Sequence, residues 1–371
     1  MVTLGNVFAT QYYDDYPNVE FSSLARSSQN FMEFILQALG WKFATDGKKA
    51  CPPESSFKVL GVELDLSQTD SGALIVANKQ DRIENLTAFL AGLMKRGRIT
   101  GSEAATLHGQ LNFAQGQYYG CSMKPAMSFL QTVMRTSWKN SYSQDLVVMC
   151  TYLVTSLLTC PPRVISTTDS KQPVILFTVG AFEVEDGVGI GSAGLVFFDP
   201  LTNVKEVAEV EVPQSLISHW GRGGSKQLIA FLELWPVLLG IITYGPHIRG
   251  RRLLVFIDNN GVRDALIKGS SPLIDLFTML SLCSLAVSVN GLSVWFTRIP
   301  SSSNPSDDPS RGEPERVAKL LGANLRHPIS ASEGIIESLL SKSDFVKFMK
   351  GAAHDSSLVQ PNENGGGARL Q

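Results

Sequence analysis

The chain has 371 residues, of which 44% are hydrophobic and 18% charged, a composition typical of folded globular domains. The formal net charge of -2 excludes a uniformly basic protein, so binding to nucleic acid would need a local basic surface. Five scattered cysteines without a CxxC pair argue against a disulfide framework and a zinc site. The first residues lack the basic and apolar segments of a signal peptide, so we expect an intracellular protein of the cytoplasm or nucleus.

Two strongly apolar windows begin at Leu228 and Leu276. Both are shorter than the roughly 20 residues that span a bilayer, and Glu233 and Pro236 interrupt the first. We therefore expect buried helices and no transmembrane segment.

Residues 1–78 combine short apolar runs with turns. The opening VTLGNVFATQYYDDYPNVEF predicts a β-hairpin with Asp14 and Asp15 at its tip. A helix that stops at Gly40 is predicted to follow, with an apolar face made of Phe31, Phe34, Ile35 and Leu39. The alternation of FKVLGVELDL, residues 57–66, predicts one half-buried strand.

Residues 79–160 have a helical pattern, with segments predicted at 81–95, 101–115, 122–138 and 143–158. Between Lys79 and Lys139 there are eight basic and three acidic residues. This excess makes the region a candidate phosphate-binding surface, and an ordinary solvated helical face is the alternative. The candidate contacts are Lys79, Arg82, Lys95, Arg96, Arg98 and Lys124.

The segment 161–172 is rich in proline and polar residues and predicts a linker. In residues 173–325 the pattern predicts three strands, a helix, a strand, two helices and a final strand, an α/β (α+β) order with a mixed sheet. A helical extension over 326–353 and a disordered tail over 354–371 complete the chain.

Two motifs in the first half carry a resemblance. The acidic tip Tyr12-Tyr13-Asp14-Asp15 resembles the Tyr-x-Asp-Asp hairpin of reverse transcriptases, in which the carboxylates bind magnesium at the primer terminus. The L-x-G-x-L-x-F-A pattern at 107–114 is similar to the thumb and connection of DIRS-like retrotransposons, although such a stripe is first of all core packing. The resemblance implies a truncated palm remnant in residues 1–78 and a thumb or connection in 79–160, with the upstream polymerase portion missing.

The second half resembles the ribonuclease H fold. Four anchors follow in the expected order: PVILFTVGA at 173–181, QLIAFLELWPVL with Glu233, LLVFIDNNGVRDAL with Asp258, and SSSNPSDDPSR with Asp307. The resemblance implies that these carboxylates hold two Mg²⁺ or Mn²⁺ ions, because two-metal hydrolysis of a phosphodiester needs hard oxygen ligands. Asp258 at a strand end has a second interpretation, as a cap of the next helix.

The chain departs from the family at Val179, which stands where the F-T-D-G-A pattern has the first catalytic aspartate. A valine side chain offers no lone pair to a metal ion. Glu183, Glu185 and Asp186 follow, but we expect them in the next turn and away from the metal-facing position.

The resemblance predicts a fragment with the ancestry of an RNA-directed DNA polymerase and ribonuclease H, catalytically impaired by the truncated palm and by Val179. The implied partner is an RNA–DNA hybrid or a DNA duplex, contacted through its backbone, and not a membrane. Two alternatives remain: a non-catalytic nucleic-acid-binding module, and a decaying transposon reading frame.

Overall fold

A computed structural model describes residues 2–4, 7–9, 16–44, 51–135, 143–166, 172–186, 188–223, 225–271 and 274–354. Asp14 and Asp15 lie outside the described residues, as does the predicted tail from residue 355 onward. The chain divides into two units, residues 1–80 with 164–169, and residues 81–163 with 170–371.

The first unit contains short strands and one helix. In chain order these are β1 (Val2–Leu4), β2 (Val7–Ala9), β3 (Asn18–Val19), α1 (Ala25–Ala38), β4 (Ser56–Val59), β5 (Val62–Asp65) and β6 (Ala73–Asn78). β1, β2 and β3 form one antiparallel sheet. The antiparallel pairing of β2 with β3 agrees with the predicted hairpin, whose acidic tip is not among the described residues.

The prediction of a single strand over residues 57–66 was wrong, because β4 and β5 are the two arms of a hairpin. Leu60 and Gly61 form the two-residue turn, with φ of 48° and 82°. Positive φ at both positions is typical of the type I′ turn, which glycine adopts without strain. The alternation misled because Val59 and Val62 pair across the turn and so continue the apolar pattern.

The predicted helix before Gly40 is confirmed as α1, and Gly40 has a φ of 75°. Its predicted apolar face is only partly covered: Phe34 and Leu39 are 64% and 65% exposed, whereas Phe31 and Ile35 are half-buried. Within α1 only Ser28 is buried, so the helix contributes no fully buried apolar side chain to the first unit.

The remaining elements continue in chain order, and all except β7 lie almost entirely in the second unit. They are α2 (Gln80–Arg96), α3 (Gly101–Gln115), α4 (Lys124–Arg135), α5 (Ser143–Thr159), β7 (Arg163–Ser166), β8 (Val174–Glu185), β9 (Val188–Asp199), β10 (Val204–Val210), α6 (Gln214–Trp220), α7 (Ser225–Tyr244), β11 (Arg252–Ile257), α8 (Asn260–Lys268), α9 (Ile274–Val289), β12 (Ser293–Arg298), α10 (Asp307–Ser310), α11 (Pro314–Leu321), β13 (Asn324–Leu325), α12 (Glu333–Leu340) and α13 (Lys342–His354). The four helices predicted in 79–160 are confirmed as α2 to α5, with residues 136–138 of the third outside the described residues. The order of strands and helices predicted in 173–325 is confirmed, with α6, α10, α11 and β13 as additions.

A six-stranded mixed sheet with the order β12-β11-β8-β9-β10-β13 forms the centre of the second unit. β8, β9 and β10 are antiparallel, whereas β11 runs parallel to β8 and β12. The register sets Thr178 of β8 beside Ile257 of β11. The next residues, Val179 and Asp258, are therefore brought to the same place at the carboxyl end of β11. The fold is a mixed α/β arrangement, as predicted.

Helix α7 lies against β8, β9 and α9. By length and composition, Leu228–Ile248 would be sufficient to cross a membrane, but 89% of its apolar window is buried inside the protein. Leu232, Leu234 and Trp235 are completely buried. This burial makes α7 a core helix, in agreement with the prediction.

Two glycines let helices come unusually close to the middle of the sheet. A Cβ atom at Gly180 would lie 2.2 Å from the carbonyl oxygen of Leu232 in α7, and one at Gly194 would lie 2.5 Å from the backbone nitrogen of Ser310 in α10. Gly194 pairs with Val179, the neighbour of Gly180, so the two glycines face opposite sides of the sheet. Glycine is therefore required on both faces.

The helices of the predicted thumb-like region pack in the same unit as the mixed sheet. The C-terminal helix α13 lies along α5, where the Thr155 hydroxyl donates a 2.8 Å hydrogen bond to the carbonyl of Met349 and Lys342 pairs with Asp145 at 2.6 Å. Part of the predicted linker 161–172 is the strand β7, which joins the sheet of β4, β5 and β6. The domain limits drawn from the sequence stay predictions.

The close approach at Gly180 has a testable cost. Gly180→Ala should lower the free energy of unfolding by about 3 kcal/mol, because the new Cβ overlaps backbone atoms that cannot turn away. Gly92→Ala is the matched control: a methyl group added at this helical position in α2 would meet open space, so the change should raise stability by about 1 kcal/mol. Urea unfolding followed by circular dichroism would measure both, and similar effects at the two positions would contradict this explanation.

Candidate functional site

Asp258 follows the last residue of β11 and begins the turn into α8. The side chain of the next residue, Asn259, caps that helix by accepting a 3.1 Å hydrogen bond from the backbone N–H of Val262. Capping is therefore performed by Asn259 and does not occupy Asp258. The Oδ1 atom of Asp258 is buried and has no hydrogen-bond partner among the described residues.

Glu233 reaches Asp258 from α7, at the point where this helix touches Gly180 of β8. Its side chain is buried, and the residue is only 5% exposed. Burial, the charge of Asp258 and a hydrogen bond to Asp258 together raise the pKa of Glu233 to about 9, whereas the backbone N–H of Gly180 opposes the shift. In the absence of a cation, Glu233 is thus protonated at neutral pH.

Asp307 comes to the same place on a loop that is tied to β8. The Nδ2 of Asn304 donates a 3.0 Å hydrogen bond to the carbonyl of Thr178, and the Oδ1 of Asn304 accepts bonds from the backbone N–H and hydroxyl of Ser306. The negative charge of Asp307 contributes to the raised pKa of Glu233, so the two carboxyl groups interact. Asp307 itself pairs with Arg311 at 2.9 Å.

Val179 lies beside these groups and is 4% exposed. Glu183 and Glu185 were expected in the turn after β8, but they are exposed residues within the strand itself, and only Asp186 follows it. Because a strand advances about 3.3 Å per residue, Glu183 lies on the order of 13 Å along β8 from Val179. These acids do not replace the missing ligand.

The structure brings together Glu233, Asp258 and Asp307, three of the five predicted carboxylates. Within the described part of the chain, no group of three or more His, Cys, Asp or Glu side chains already has the arrangement of a metal site. The buried Oε2 of Glu233 and Oδ1 of Asp258 nevertheless lack hydrogen-bond partners among the described residues. Orphaned carboxyl oxygens on two interacting residues fit a hard divalent cation, which would supply the missing partner.

Sequence reasoning identified the carboxylates but overlooked the residues that position them. Gly180 and Gly194 admit α7 and α10, Asn304 ties the last loop to β8, and Arg311 pairs with Asp307. A signal was available for Arg311, since it lies four residues after Asp307, the spacing at which oppositely charged side chains pair on a helix. The glycines gave no such signal, because their role depends on helices distant in sequence.

The predicted phosphate contacts have different surroundings. Lys95, Arg96 and Arg98 are exposed, and Arg96 pairs with Glu103 at 2.8 Å. Three further observations complete the set: Arg82 lies 4.3 Å from the ring centre of Phe113, Lys124 donates a 3.1 Å hydrogen bond to the carbonyl of Ile267, and Lys79 is half-buried. Their role in binding nucleic acid stays a prediction.

The stripe at 107–114 was expected to be core packing, and this holds for only part of it. Leu107, Leu111 and Ala114 are buried, whereas Gly109 and Phe113 are exposed on the outer side of α3. A Cβ atom at Gly109 would meet nothing within 4 Å. The outer side of α3 therefore combines an exposed aromatic ring with an open backbone position.

In comparisons with known proteins, the sequence matches no protein-family model and no curated protein. Membership of a family is accordingly not shown for this chain. The resemblance to polymerases and ribonucleases is therefore one of short motifs only.

The raised pKa of Glu233 predicts a pH dependence of stability. A folded-state pKa near 9 against an ordinary value of 4.5 means that the folded state holds the proton more tightly. Stability from this group is complete below about pH 4.5 and is lost as the pH rises toward 9, by up to about 1.4 kcal/mol per pH unit.

Glu233→Gln should remove this slope, because glutamine remains neutral at every pH. Thermal or urea unfolding between pH 5 and 9, in the presence of a chelator, would measure the difference, with the exposed Glu315→Gln as control. If the parent chain and Glu233→Gln lose stability equally with rising pH, Glu233 does not carry the shifted pKa.

Proposed function

We propose that the second unit is a ribonuclease H-like domain that acts on RNA–DNA hybrids, and that the chain derives from the reverse transcriptase of a DIRS-like or related retrotransposon. The order of elements supports this proposal: three antiparallel strands, a long core helix, and two further strands parallel to the first. The four sequence anchors fall on β8, α7, the end of β11 and the loop before α10. Fold likeness alone does not specify chemistry, so the side chains of the site have to support it as well.

The pair formed by the buried Glu233 and the half-buried Asp258 is the observation that carries the proposal. Burying two carboxyl groups in contact costs free energy unless a partner compensates them, and each retains one oxygen without a partner among the described residues. A purely structural pair would be expected to satisfy these oxygens with donors. Their position at the carboxyl end of β11, beside the charged Asp307, favours a functional origin.

Glu233, Asp258 and Asp307 would hold the divalent cations, Mg²⁺ or Mn²⁺. When bound, two such ions activate the attacking water and stabilise the leaving oxygen of a phosphodiester. The protein's own contribution is positional: β11 and α7 hold two carboxylates from different directions, and the Asn304 loop adds the third. The apolar surroundings of Glu233 make its ionised form dependent on the cation.

Val179 limits this activity. It lies next to Asp258 at the position of the family's first aspartate, and it adds a hydrophobic side chain where a bridging carboxylate is expected. The proposed domain is therefore catalytically impaired. The polymerase ancestry rests on the resemblance of the Tyr12–Asp15 motif and of the pattern at 107–114. Asp14 and Asp15 lie outside the described residues.

Val179→Asp should create magnesium- or manganese-dependent cleavage of a labelled RNA–DNA hybrid, because it supplies the missing carboxylate beside Asp258. Val179→Asn is the matched control, because asparagine has the shape of aspartate without its charge. Its cleavage activity should stay at the level of the parent chain. Adding Asp258→Asn to Val179→Asp should lower the gained cleavage rate by about a hundredfold or more. A folded Val179→Asp variant without activity would refute the assignment of Val179 to the site.

A second function, holding a duplex without cutting it, is favoured by the surface of α2 and α3. Arg82 stacks on the exposed ring of Phe113, and the exposed Lys95 and Arg98 lie at the other end of α2 and just beyond it. The open backbone at Gly109 would admit a close neighbour on the same side of α3 as Phe113. Basic side chains, an exposed aromatic ring and a helix position without a side chain form a surface suited to contact with the sugar-phosphate backbone of a nucleic acid.

Binding through this surface predicts a salt dependence. Replacing Lys95 and Arg98 by Gln should reduce the slope of log affinity against log salt for a hybrid by about two. The control replaces two exposed lysines of α13, Lys347 and Lys350, by Gln, which removes the same charge at another place. Fluorescence anisotropy at several salt concentrations would measure the slopes, and equal slopes for the two double variants would exclude the α2–α3 surface.

A further inference from the structure

Two consecutive acids begin α10, and an arginine compensates each of them. Asp307 pairs with Arg311 at 2.9 Å, and Asp308 pairs with Arg316 through two bonds of 2.6 Å. The two pairs differ in their surroundings. Asp307 interacts with Glu233 and so belongs to the carboxylate cluster, whereas Asp308 is held by a partner that lies in α11.

Arg311 contacts the carboxylate cluster through its ion pair with Asp307. It compensates Asp307 from the solvent side, while Glu233 and Asp258 retain oxygens on the buried side that have no partner among the described residues. A divalent ion bound to those two residues would attract the Asp307 carboxylate as well. Arg311 and the ion therefore compete for the same carboxylate.

The structure permits such an exchange at little cost. The side chains of Arg311 and Asp307 are 64% and 35% exposed, and ion pairs of this kind contribute little to stability. The backbone around Asp307 is fixed, since Ser310 donates a 2.7 Å hydrogen bond to the Asp307 carbonyl and Asn304 ties the loop to β8. Only the guanidinium group has to move.

We propose that Arg311 is a positioning residue that exchanges partners: it holds Asp307 before a divalent cation binds, and afterwards releases Asp307 to the ion and contacts a phosphate of the nucleic acid. A guanidinium group suits this second role because it pairs with carboxylate and phosphate through the same geometry. The inference rests on the proposed function, since it assumes that Glu233 and Asp258 bind a divalent ion.

Arg311→Gln separates the two roles because it should change them in opposite directions. Without its competitor, Mn²⁺ should bind about two- to fivefold more tightly in calorimetry. Affinity for a hybrid in saturating Mn²⁺ should fall, and its salt slope should decrease by about one. If Arg311 had a merely structural role, its replacement would weaken the binding of both Mn²⁺ and the hybrid, or of neither.

Arg316→Gln is the matched control, since it removes the neighbouring arginine from Asp308 and should leave Mn²⁺ affinity within about twofold. Arg311→Lys retains the charge with single-point geometry and should lie between the parent chain and Arg311→Gln, which covers the case that glutamine disturbs folding. If Arg311→Gln leaves Mn²⁺ affinity unchanged or weaker while Asp258→Asn abolishes binding, the exchange is refuted and the proposed function stands. If the parent chain and all variants fail to bind Mn²⁺, both proposals are refuted.

Discussion

The candidate site depends on how closely two helices approach the middle of one sheet. Gly180 faces α7 and Gly194 faces α10, and at either position a single methyl group would overlap backbone atoms of the helix. This approach from both faces brings Glu233 and Asp307 to the end of β11, where Asp258 follows. The carboxylates lie together because the backbones of α7 and α10 approach the sheet closely. The packing of the core and the composition of the site therefore cannot vary independently.

This geometry sets the electrostatics. Glu233 lies on a buried helix and interacts with Asp258. Burial together with the charge of Asp258 raises the pKa of Glu233. The protein tolerates an unfavourable pair that a divalent cation would stabilise, a compromise between stability and function that is common at active sites. The apolar Val179 adds no negative charge to this group, and under the proposed function it stands where a further carboxylate is expected.

The unit that carries the site is larger than the sheet and its helices. α13 packs along α5, and Ile329 forms a parallel β-bridge with Val210 of β10, so the C-terminal extension contacts both the helical region and the strands. The buried hydrogen bond from Thr155 to Met349 joins segments that are 194 residues apart. The position of the basic α2–α3 surface relative to the site is thus determined by packing within one unit, which a nucleic-acid-binding role requires.

The sequence by itself determined the longer elements of residues 79–325 and their order, because their periods of apolar residues are long and their boundaries carry glycine, proline or capping residues. It missed the short elements β7, α6, α10, α11 and β13. It also identified Glu233, Asp258 and Asp307 by their motifs. It failed over residues 57–66, where a two-residue turn preserved the alternation of a single strand. Tertiary structure alone decided which carboxyl oxygens lack partners among the described residues, which arginine pairs with Asp307 and why two glycines are needed, since each depends on contacts between segments far apart in the chain or on the exact path of a loop.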